Sequence, residues 1–196
     1  MKLLHSCLLF AVSIGFTSWT VAQTYTLDVD SAAQITVTGT STLHGWTVAV
    51  KEVQDIPSEL ILSGENENTI DSFAFSVVVS SMDGGRGASM NAKITKALQA
   101  AAHPNIQYQQ TEPAVMGELD DSGNFKLLSK GILKMVGLEK AVEIEVMGQK
   151  TETGIILKGS QPLTFSEFDI EPPSAMFGQI VCGDDIAVHF EFRYVQ

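Results

Sequence analysis

The sequence predicts an all-β protein with one short helix near the middle of the chain. From Tyr25 onward, apolar and polar residues alternate with a period of two, as in the run from Ile186 to Phe192. This period is typical of antiparallel strands that have one buried and one solvated face. Clusters of glycine, aspartate and asparagine separate the alternating segments and predict turns. The strands are of medium length, which favours either a sandwich or a closed barrel.

The helix is predicted from a stretch in which the period changes from two to 3.6. The residues of its apolar face are Met90, Ile94, Ala97, Leu98 and Ala101. Ser89 is the predicted N-cap, because its hydroxyl can accept a hydrogen bond from a free amide of the first turn. Pro104 cannot continue the helix. Alternation then resumes at Ile106 and Tyr108.

The first 22 residues are predicted to be a secretory signal peptide. Lys2 precedes an apolar run from Leu3 to Phe16, and Thr20 and Ala22 suit a cleavage site after Ala22. Cleavage leaves residues 23–196 as a single domain, and we expect that domain to be periplasmic or secreted. No later segment suggests a transmembrane helix, so we expect no stable membrane insertion after cleavage.

Charge and cysteine content narrow the classes of function. Lys2 is the only charged residue of the signal, so cleavage changes the formal net charge from −11 to −12. Such a surface repels nucleic acid and anionic lipid head groups at long range, and no nucleic-acid partner is expected. Cys182 is then the only cysteine, which excludes an intramolecular disulfide. We interpret it as a small buried apolar residue rather than a reactive thiol. The sequence does not decide between a monomer and a homodimer.

No pattern of catalytic residues is present. His44, His103 and His189 are far apart in the sequence and lack the spacing of a metal motif. No G-x-S-x-G nucleophile motif occurs. We therefore predict no enzyme activity, no metal and no cofactor.

The order of several short motifs resembles that of the YceI-like family, secreted bacterial proteins described as polyisoprenoid-binding. The segments that carry the resemblance are Tyr25–Asp28, Ser41–Trp46, Met90–Ile106, Gly131–Gly137, Leu163–Pro173 and Gly183–Val188. Residues 85–90 depart from the pattern of the family, so the chain resembles a divergent branch. The resemblance implies an extended antiparallel β-barrel of lipocalin-like shape with about eight strands. It also implies an isoprenoid or other long-chain lipid in the interior and no chemistry.

Candidate ligand contacts come from the helix, the neighbouring strands and a predicted loop at residues 163–173. The predicted lipid-binding residues are Trp46, Phe75, Met90, Ile94, Leu98, Tyr108, Phe165, Phe168, Met176 and Phe177. They are apolar or aromatic, as the walls of ligand pockets mostly are. The alternative is that they form an ordinary packed core and that the protein is a secreted stress or interaction protein without a lipid.

One polar contact is predicted before the helix. Glycines 84, 85 and 87 allow backbone amides to approach an anion, and Arg86 adds a charged group. We hypothesise that this turn meets the polar head group of an amphiphilic ligand, such as a phosphate or a quinone oxygen. The alternative is a flexible connection with a solvated arginine.

Overall fold

The computed structural model describes residues 22–28, 34–54, 59–64 and 67–196. These residues form a curled antiparallel sheet and one α-helix, α1 (Ala88–Ala97). The strands are β1 (Gln23–Leu27), β2 (Gln34–Ser41), β3 (Trp46–Val50), β4 (Val53–Gln54), β5 (Glu59–Ser63), β6 (Thr69–Ser72), β7 (Ala74–Val78), β8 (Met82–Asp83), β9 (Asn105–Gln110), β10 (Ala114–Val115), β11 (Asn124–Met135), β12 (Leu138–Lys150), β13 (Gly154–Thr164), β14 (Ser174–Ala175) and β15 (Ile180–Val195). Short 3-10 turns occur at Val79–Ser81, Ser166–Phe168 and Met176–Gly178.

The strands follow a nearly closed circuit. Pairings run from β15 to β2, β3 and β8, and the 3-10 turn at Val79–Ser81 joins β8 to β7 along the chain. β7 pairs with β4 and β9, and pairing continues through β11, β12 and β13 back to β15. The all-β prediction with one helix is confirmed. The predicted number of about eight strands is too low, because the described residues contain fifteen.

One end of the barrel is densely packed. β1 pairs with the last residues of β15 and continues the sheet to β5, β6 and β10. Phe73 lies at the centre of this end, with its ring between 5.7 and 6.3 Å from four other aromatic rings. These rings belong to Phe75, Tyr108, Phe192 and Tyr194. Burial of such large apolar groups is the main source of stability at this end.

Glycines within strands make room for aromatic rings from the opposite strand. Gly39 pairs with Trp46, and Gly159 pairs with Phe190. A Cβ atom at either glycine would lie 2.3 Å from the ring of its partner. The absence of a side chain therefore fixes where each ring lies, and Trp46 and Phe190 both face the barrel interior.

The helix begins and ends earlier than the sequence predicts. Its N-cap is Gly87, with φ of 80°, and no side chain caps it. The prediction of Ser89 as N-cap is wrong, because Ser89 already lies within the first turn. The helix ends at Ala97, and Gln99 follows with φ of 50°. Ala101 therefore lies beyond the helix and is exposed rather than on its apolar face.

The structure also bears on the predicted loop at residues 163–173 and on the predicted signal peptide. The segment predicted as a loop, residues 163–173, still includes the last two residues of β13, then a 3-10 turn, and no strand from 169 to 173. The predicted signal peptide lies outside the described residues except for Ala22. No helix in the described part of the chain is long and apolar enough to span a membrane.

Candidate functional site

The other end of the barrel contains a cavity of about 430 Å³. That volume is within the range of roughly 300–1,000 Å³ for ligand pockets. Its wall is formed by α1 and by the inward faces of strands from β2 to β15. The buried apolar residues on it include Ile35, Val48, Val50, Val77, Met82, Leu133, Met135, Ile144, Leu163, Ile186 and Phe190. The barrel is therefore hollow at one end and packed at the other.

Phe75 and Tyr108 form the boundary between the cavity and the packed end. Both line the cavity, and their rings also contact Phe73. The Tyr108 hydroxyl lies 2.6 Å from the Ser129 hydroxyl, which donates to the side-chain oxygen of Gln110 at 3.1 Å. Burial raises the pKa of Tyr108, while the hydrogen bond with Ser129 acts in the opposite direction. The neutral phenol is thus held by its partners rather than offered to a ligand.

Most of the predicted lipid-binding residues lie on the cavity wall. These are Trp46, Phe75, Met90, Ile94, Leu98, Tyr108 and Phe165. Phe168, Met176 and Phe177 do not line the cavity. Phe168 is buried in the core by the 3-10 turn at Ser166–Phe168, whereas Met176 and Phe177 are exposed. A direct contact of these three with a ligand stays a prediction that the cavity geometry does not support.

Several wall residues were absent from the predicted set. Leu133, Met135, Ile144, Ile186 and Val188 all line the cavity. Each lies on the apolar parity of its own strand, so alternation alone predicts that it points inward. Alternation cannot tell which inward residues face the hollow end and which face the packed end. The missing information is the position of each residue along the barrel.

Three chain segments surround the exposed side of the cavity: residues 40–46, 84–93 and 173–183, which we call the rim. The backbone amide of Thr42 donates to the carbonyl of Val181 at 3.0 Å. Arg86 Nη2 lies 2.9 Å from His44 Nε2. The polar side chains on the cavity wall are Ser41, His44, Thr47, Arg86, Lys93, Gln161 and Ser174. Five of these seven belong to the rim, so the cavity is polar at its edge and apolar inside.

The contact between Arg86 and His44 defines the state of the imidazole. A guanidinium group only donates hydrogen bonds, so His44 Nε2 must accept. His44 Nδ1 lies 2.7 Å from the carbonyl oxygen of Gly45 and must donate to it. This geometry corresponds to the neutral ring with its proton on Nδ1. His44 thereby positions Arg86 beside the cavity. The sequence places His44 in the motif before Trp46 but does not predict this contact.

The glycine amides before the helix are already engaged. The amide of Gly84 donates to Asn91 Oδ1 at 3.0 Å, and the amide of Gly85 donates to Asp83 Oδ1 at 2.9 Å. The hydrogen bonds that Asp83 accepts lower its pKa, with the bond from Gly85 as the largest cause. Because Asn91 and Asp83 already accept from these two amides, the prediction that the amides of Gly84 and Gly85 cradle an anion is wrong. Arg86 remains as the candidate head-group contact.

Cys182 lies in surroundings that disfavour a reactive thiol. Cys182 lines the cavity, and burial raises the pKa of its thiol, with Lys93 acting in the opposite direction. A raised pKa disfavours the nucleophilic thiolate. His189 contacts Thr38 at 3.2 Å, away from the contact between His44 and Arg86. The described residues contain no group of three or more His, Cys, Asp or Glu side chains that could hold a metal ion.

Comparison with known proteins agrees with this architecture. Residues 25–194 match the YceI-like domain. The chain belongs to the YceI-like family. This confirms the resemblance drawn from the order of short motifs. A comparison with curated protein sequences finds no match.

Solved structures show the same fold at low sequence identity. BcnA from Burkholderia cenocepacia superposes with a TM-score of 0.63 at 13% identity, over 85% of this chain and 98% of BcnA. A polyisoprenoid-binding domain from Saccharophagus degradans, implicated in plant cell wall breakdown, gives 0.65 at 12% identity over 87% and 97%. The YceI protein of Campylobacter jejuni gives 0.57 at 11% identity over 76% and 84%. At such identities the similarity shows the fold alone.

Proposed function

We propose that this protein is an extracytoplasmic carrier that holds the apolar chain of an isoprenoid lipid in its cavity. The observation that carries the proposal is the apolar cavity of about 430 Å³ at one end of a barrel whose other end is packed. The family and the polyisoprenoid-binding domain of similar fold support a lipid ligand. The signal-like first 22 residues support a location outside the cytoplasm.

Binding is by burial and involves no chemistry. Each methylene transferred from water to the cavity contributes roughly 0.8 kcal/mol, so partial enclosure of a prenyl chain already gives useful affinity. Met90, on α1, and Met82, on β8, supply flexible walls that adapt to a branched chain. The ligand class is a polyprenyl phosphate or an isoprenoid quinone, and Arg86 contacts its polar head.

The alternative of a fully packed barrel without a ligand conflicts with the cavity. Large aromatic side chains fill only the end around Phe73. At the other end Trp46 and Phe165 stack with centroids 6.4 Å apart and leave the interior between them and Phe75 open. We therefore favour a binding protein over a packed interaction module.

Trp46 provides a direct experimental test. It lines the cavity, and a chain that starts at Gln23 contains no other tryptophan. Titration of this chain with a polyprenyl phosphate is expected to shift the Trp46 emission to the blue and to saturate at one ligand per chain. Emission that does not change for either a polyprenyl phosphate or a quinone, in a folded protein, would contradict the proposal.

A further inference from the structure

The rim presents apolar side chains to solvent directly beside the cavity. Leu43 is 66% exposed, Met176 is 64% exposed and Phe177 is fully exposed. Val181 adds a smaller exposed apolar surface to the same patch. Folded proteins expose single large apolar residues often, but a group of them around a concave site usually marks an interaction surface.

These side chains are held by contacts between the rim segments. Thr42, next to Leu43, donates from its backbone amide to Val181 and from its hydroxyl to the carbonyl of Gln179 at 3.2 Å. The Val181 amide lies 3.3 Å from the Thr42 hydroxyl. The three contacts attach the segment of Leu43 to the segment of Phe177.

The backbone at Met176 and Phe177 adds a second observation. Their φ angles are 52° and 54°, in the left-handed region that bulky residues seldom adopt. This turn directs Phe177 away from the core, where an aromatic residue would otherwise gain free energy by burial. The turn at Met176 and Phe177 is therefore conformationally unfavourable, and it exposes a phenylalanine side chain to solvent. Such an arrangement suits a partner that buries the ring.

The charge of the rim differs from that of the whole protein. The chain has 23 acidic and 12 basic residues, yet the rim contains Arg86, Lys93 and no acidic residue. Among the carboxylates that flank it, Asp83 accepts hydrogen bonds from Gly85 and Asn91, and Asp184 accepts from Ser166. Glu171 and Asp185 each lie two residues outside the third segment, and Asp185 is exposed. The rim is thus an apolar patch with two cations on an acidic protein.

We propose that the rim is the face with which this protein docks onto a bilayer that contains anionic phospholipid. Apolar side chains that enter the interface, together with Lys and Arg near the phosphates, are the features by which peripheral proteins bind such membranes. The choice of a bilayer over a protein partner rests on the proposed function, because a docked rim places the cavity against the source of its lipid. Phe177, Met176 and Leu43 enter the interface, and Arg86 and Lys93 contact phosphate groups.

The experiment is flotation of the chain from Gln23 to Gln196 with vesicles. One set contains phosphatidylcholine alone, and the other contains equal phosphatidylcholine and phosphatidylglycerol. The test variant is Phe177→Asn, since asparagine tolerates the left-handed conformation. The matched control is Leu128→Asn, at an exposed leucine of β11 outside the rim. A charge pair completes the set: Lys93→Gln in the rim and Lys96→Gln on α1 outside it.

The expected result is binding of the unaltered chain to anionic vesicles and loss of about tenfold in affinity for Phe177→Asn, which is the factor given by about 1.4 kcal/mol. Leu128→Asn leaves binding unchanged. Lys93→Gln reduces the preference for anionic over neutral vesicles, and Lys96→Gln does not. Absence of vesicle binding by the unaltered chain, or equal losses for both asparagine variants, overturns the proposal.

Two further readouts separate this inference from the proposed function. Uptake of polyprenyl phosphate from detergent micelles tests the cavity without a bilayer, and Phe177→Asn is expected to retain it. A protein that docks on vesicles but takes up no lipid contradicts the proposed function and leaves the docking face standing. Sedimentation that reveals a dimer broken by Phe177→Asn, in a protein that ignores vesicles, assigns the rim to a second copy and overturns the proposal.

Discussion

Tyr108 stacks on Phe75 with ring centroids 5.4 Å apart and an angle of 25° between the ring planes. One side of this pair faces the cavity and the other faces Phe73. The pair is therefore the floor of the cavity. Hydrogen bonds that link the hydroxyl of Tyr108 to Ser129 and Gln110 hold the Tyr108 ring in this position.

Ser129→Ala is expected to destabilise the protein more than Tyr108→Phe, although each substitution removes a single hydroxyl group. Ser129 donates to Gln110, so the Tyr108 hydroxyl must donate to Ser129. Loss of Ser129 leaves two buried polar groups without a partner, at about 1–3 kcal/mol each, whereas loss of the Tyr108 hydroxyl costs about 1 kcal/mol. Urea unfolding measures both free energies of unfolding.

The double variant Tyr108→Phe/Ser129→Ala is the control for the comparison of the two single variants. With both hydroxyls removed, only the Gln110 side-chain oxygen lacks its partner, because its amide still donates to the carbonyl of Ile70. The double variant should therefore be less destabilised than the sum of the two single variants. Equal effects of the single variants, or strict additivity, would show that these three side chains do not form a connected network.

Ala97→Phe is expected to block ligand binding without unfolding the protein. Ala97 lines the cavity from α1, and a phenylalanine ring there occupies space that the prenyl chain needs. The affinity for polyprenyl phosphate should fall at least about tenfold, equivalent to about 1.4 kcal/mol. The Trp46 emission titration measures it. Ala92→Phe, on the exposed side of the same helix, is the matched control and should bind normally. Unchanged affinity in a folded Ala97→Phe would place the ligand elsewhere.

Arg86→Ala is expected to weaken binding of a polyprenyl phosphate by roughly threefold to tenfold, on the order of 1 kcal/mol, because a solvated charge-assisted hydrogen bond is lost. Binding of the uncharged polyprenol should not change, since the apolar contacts remain. Lys96→Ala removes a cation from α1 outside the cavity and serves as control. If the phosphate and the alcohol lose affinity equally, Arg86 supports the rim and does not contact the head group.

Tyr194→Phe is expected to stabilise the protein by about 1 kcal/mol. The Tyr194 hydroxyl is buried and has no hydrogen-bond partner among the described residues, and an unpaired buried hydroxyl opposes folding. For a chain of this size the gain corresponds to about 2–4 °C in Tm. Thermal unfolding at neutral pH measures it. Leu128→Ala, at an exposed site, controls for general effects of substitution and should change Tm little. A lower Tm for Tyr194→Phe would indicate that the hydroxyl has a partner in solution.

The same residue predicts a loss of stability in alkali. Burial raises the pKa of Tyr194 above the ordinary value of 10.0. The unfolded chain then releases its phenolic proton at a lower pH than the folded protein does. The contribution of the protonated Tyr194 phenol to the free energy of unfolding is therefore complete below pH 10.0 and is lost as the pH rises above that value. Tyr194→Phe should lower the slope of unfolding free energy against pH in this range. An unchanged slope would show that the burial of Tyr194 is not the cause of the alkaline loss.

The sequence predicts the fold because alternation survives in the long strands. β11 alternates between buried and exposed residues over most of its length and β12 does so from Glu143 to Gly148, so their period is directly visible. In β7 the large apolar residues Phe75 and Val77 alternate with Ala74 and Ser76, but four of its five residues are buried, so its burial does not alternate. The break between β7 and β8 depends on a 3-10 turn stabilised by Ser81, whose hydroxyl donates to the carbonyl of Val78. Local contacts of that kind are not visible in the hydrophobic pattern. Strands of two residues, such as β4, β8, β10 and β14, are also too short to show a period, and the strand number is underestimated for both reasons.

The sequence predicts the apolar and aromatic character of the cavity wall better than it predicts which residues form that wall. Aromatic and apolar residues near the helix, such as Trp46 and Ile94, are on the wall because the strands and the helix face converge there. Met176 and Phe177 have the same composition, but a left-handed turn directs them to solvent. The conformation that separates these two outcomes is set by the pairing of neighbouring segments, which composition does not encode.

The most direct test of lipid carriage is mass spectrometry of the lipid extract from protein purified gently from its native host. We expect one isoprenoid per chain, and loss of that lipid from the Ala97→Phe variant but not from Ala92→Phe. Protein that is empty on isolation and also takes up no added polyprenyl phosphate or quinone would contradict lipid carriage.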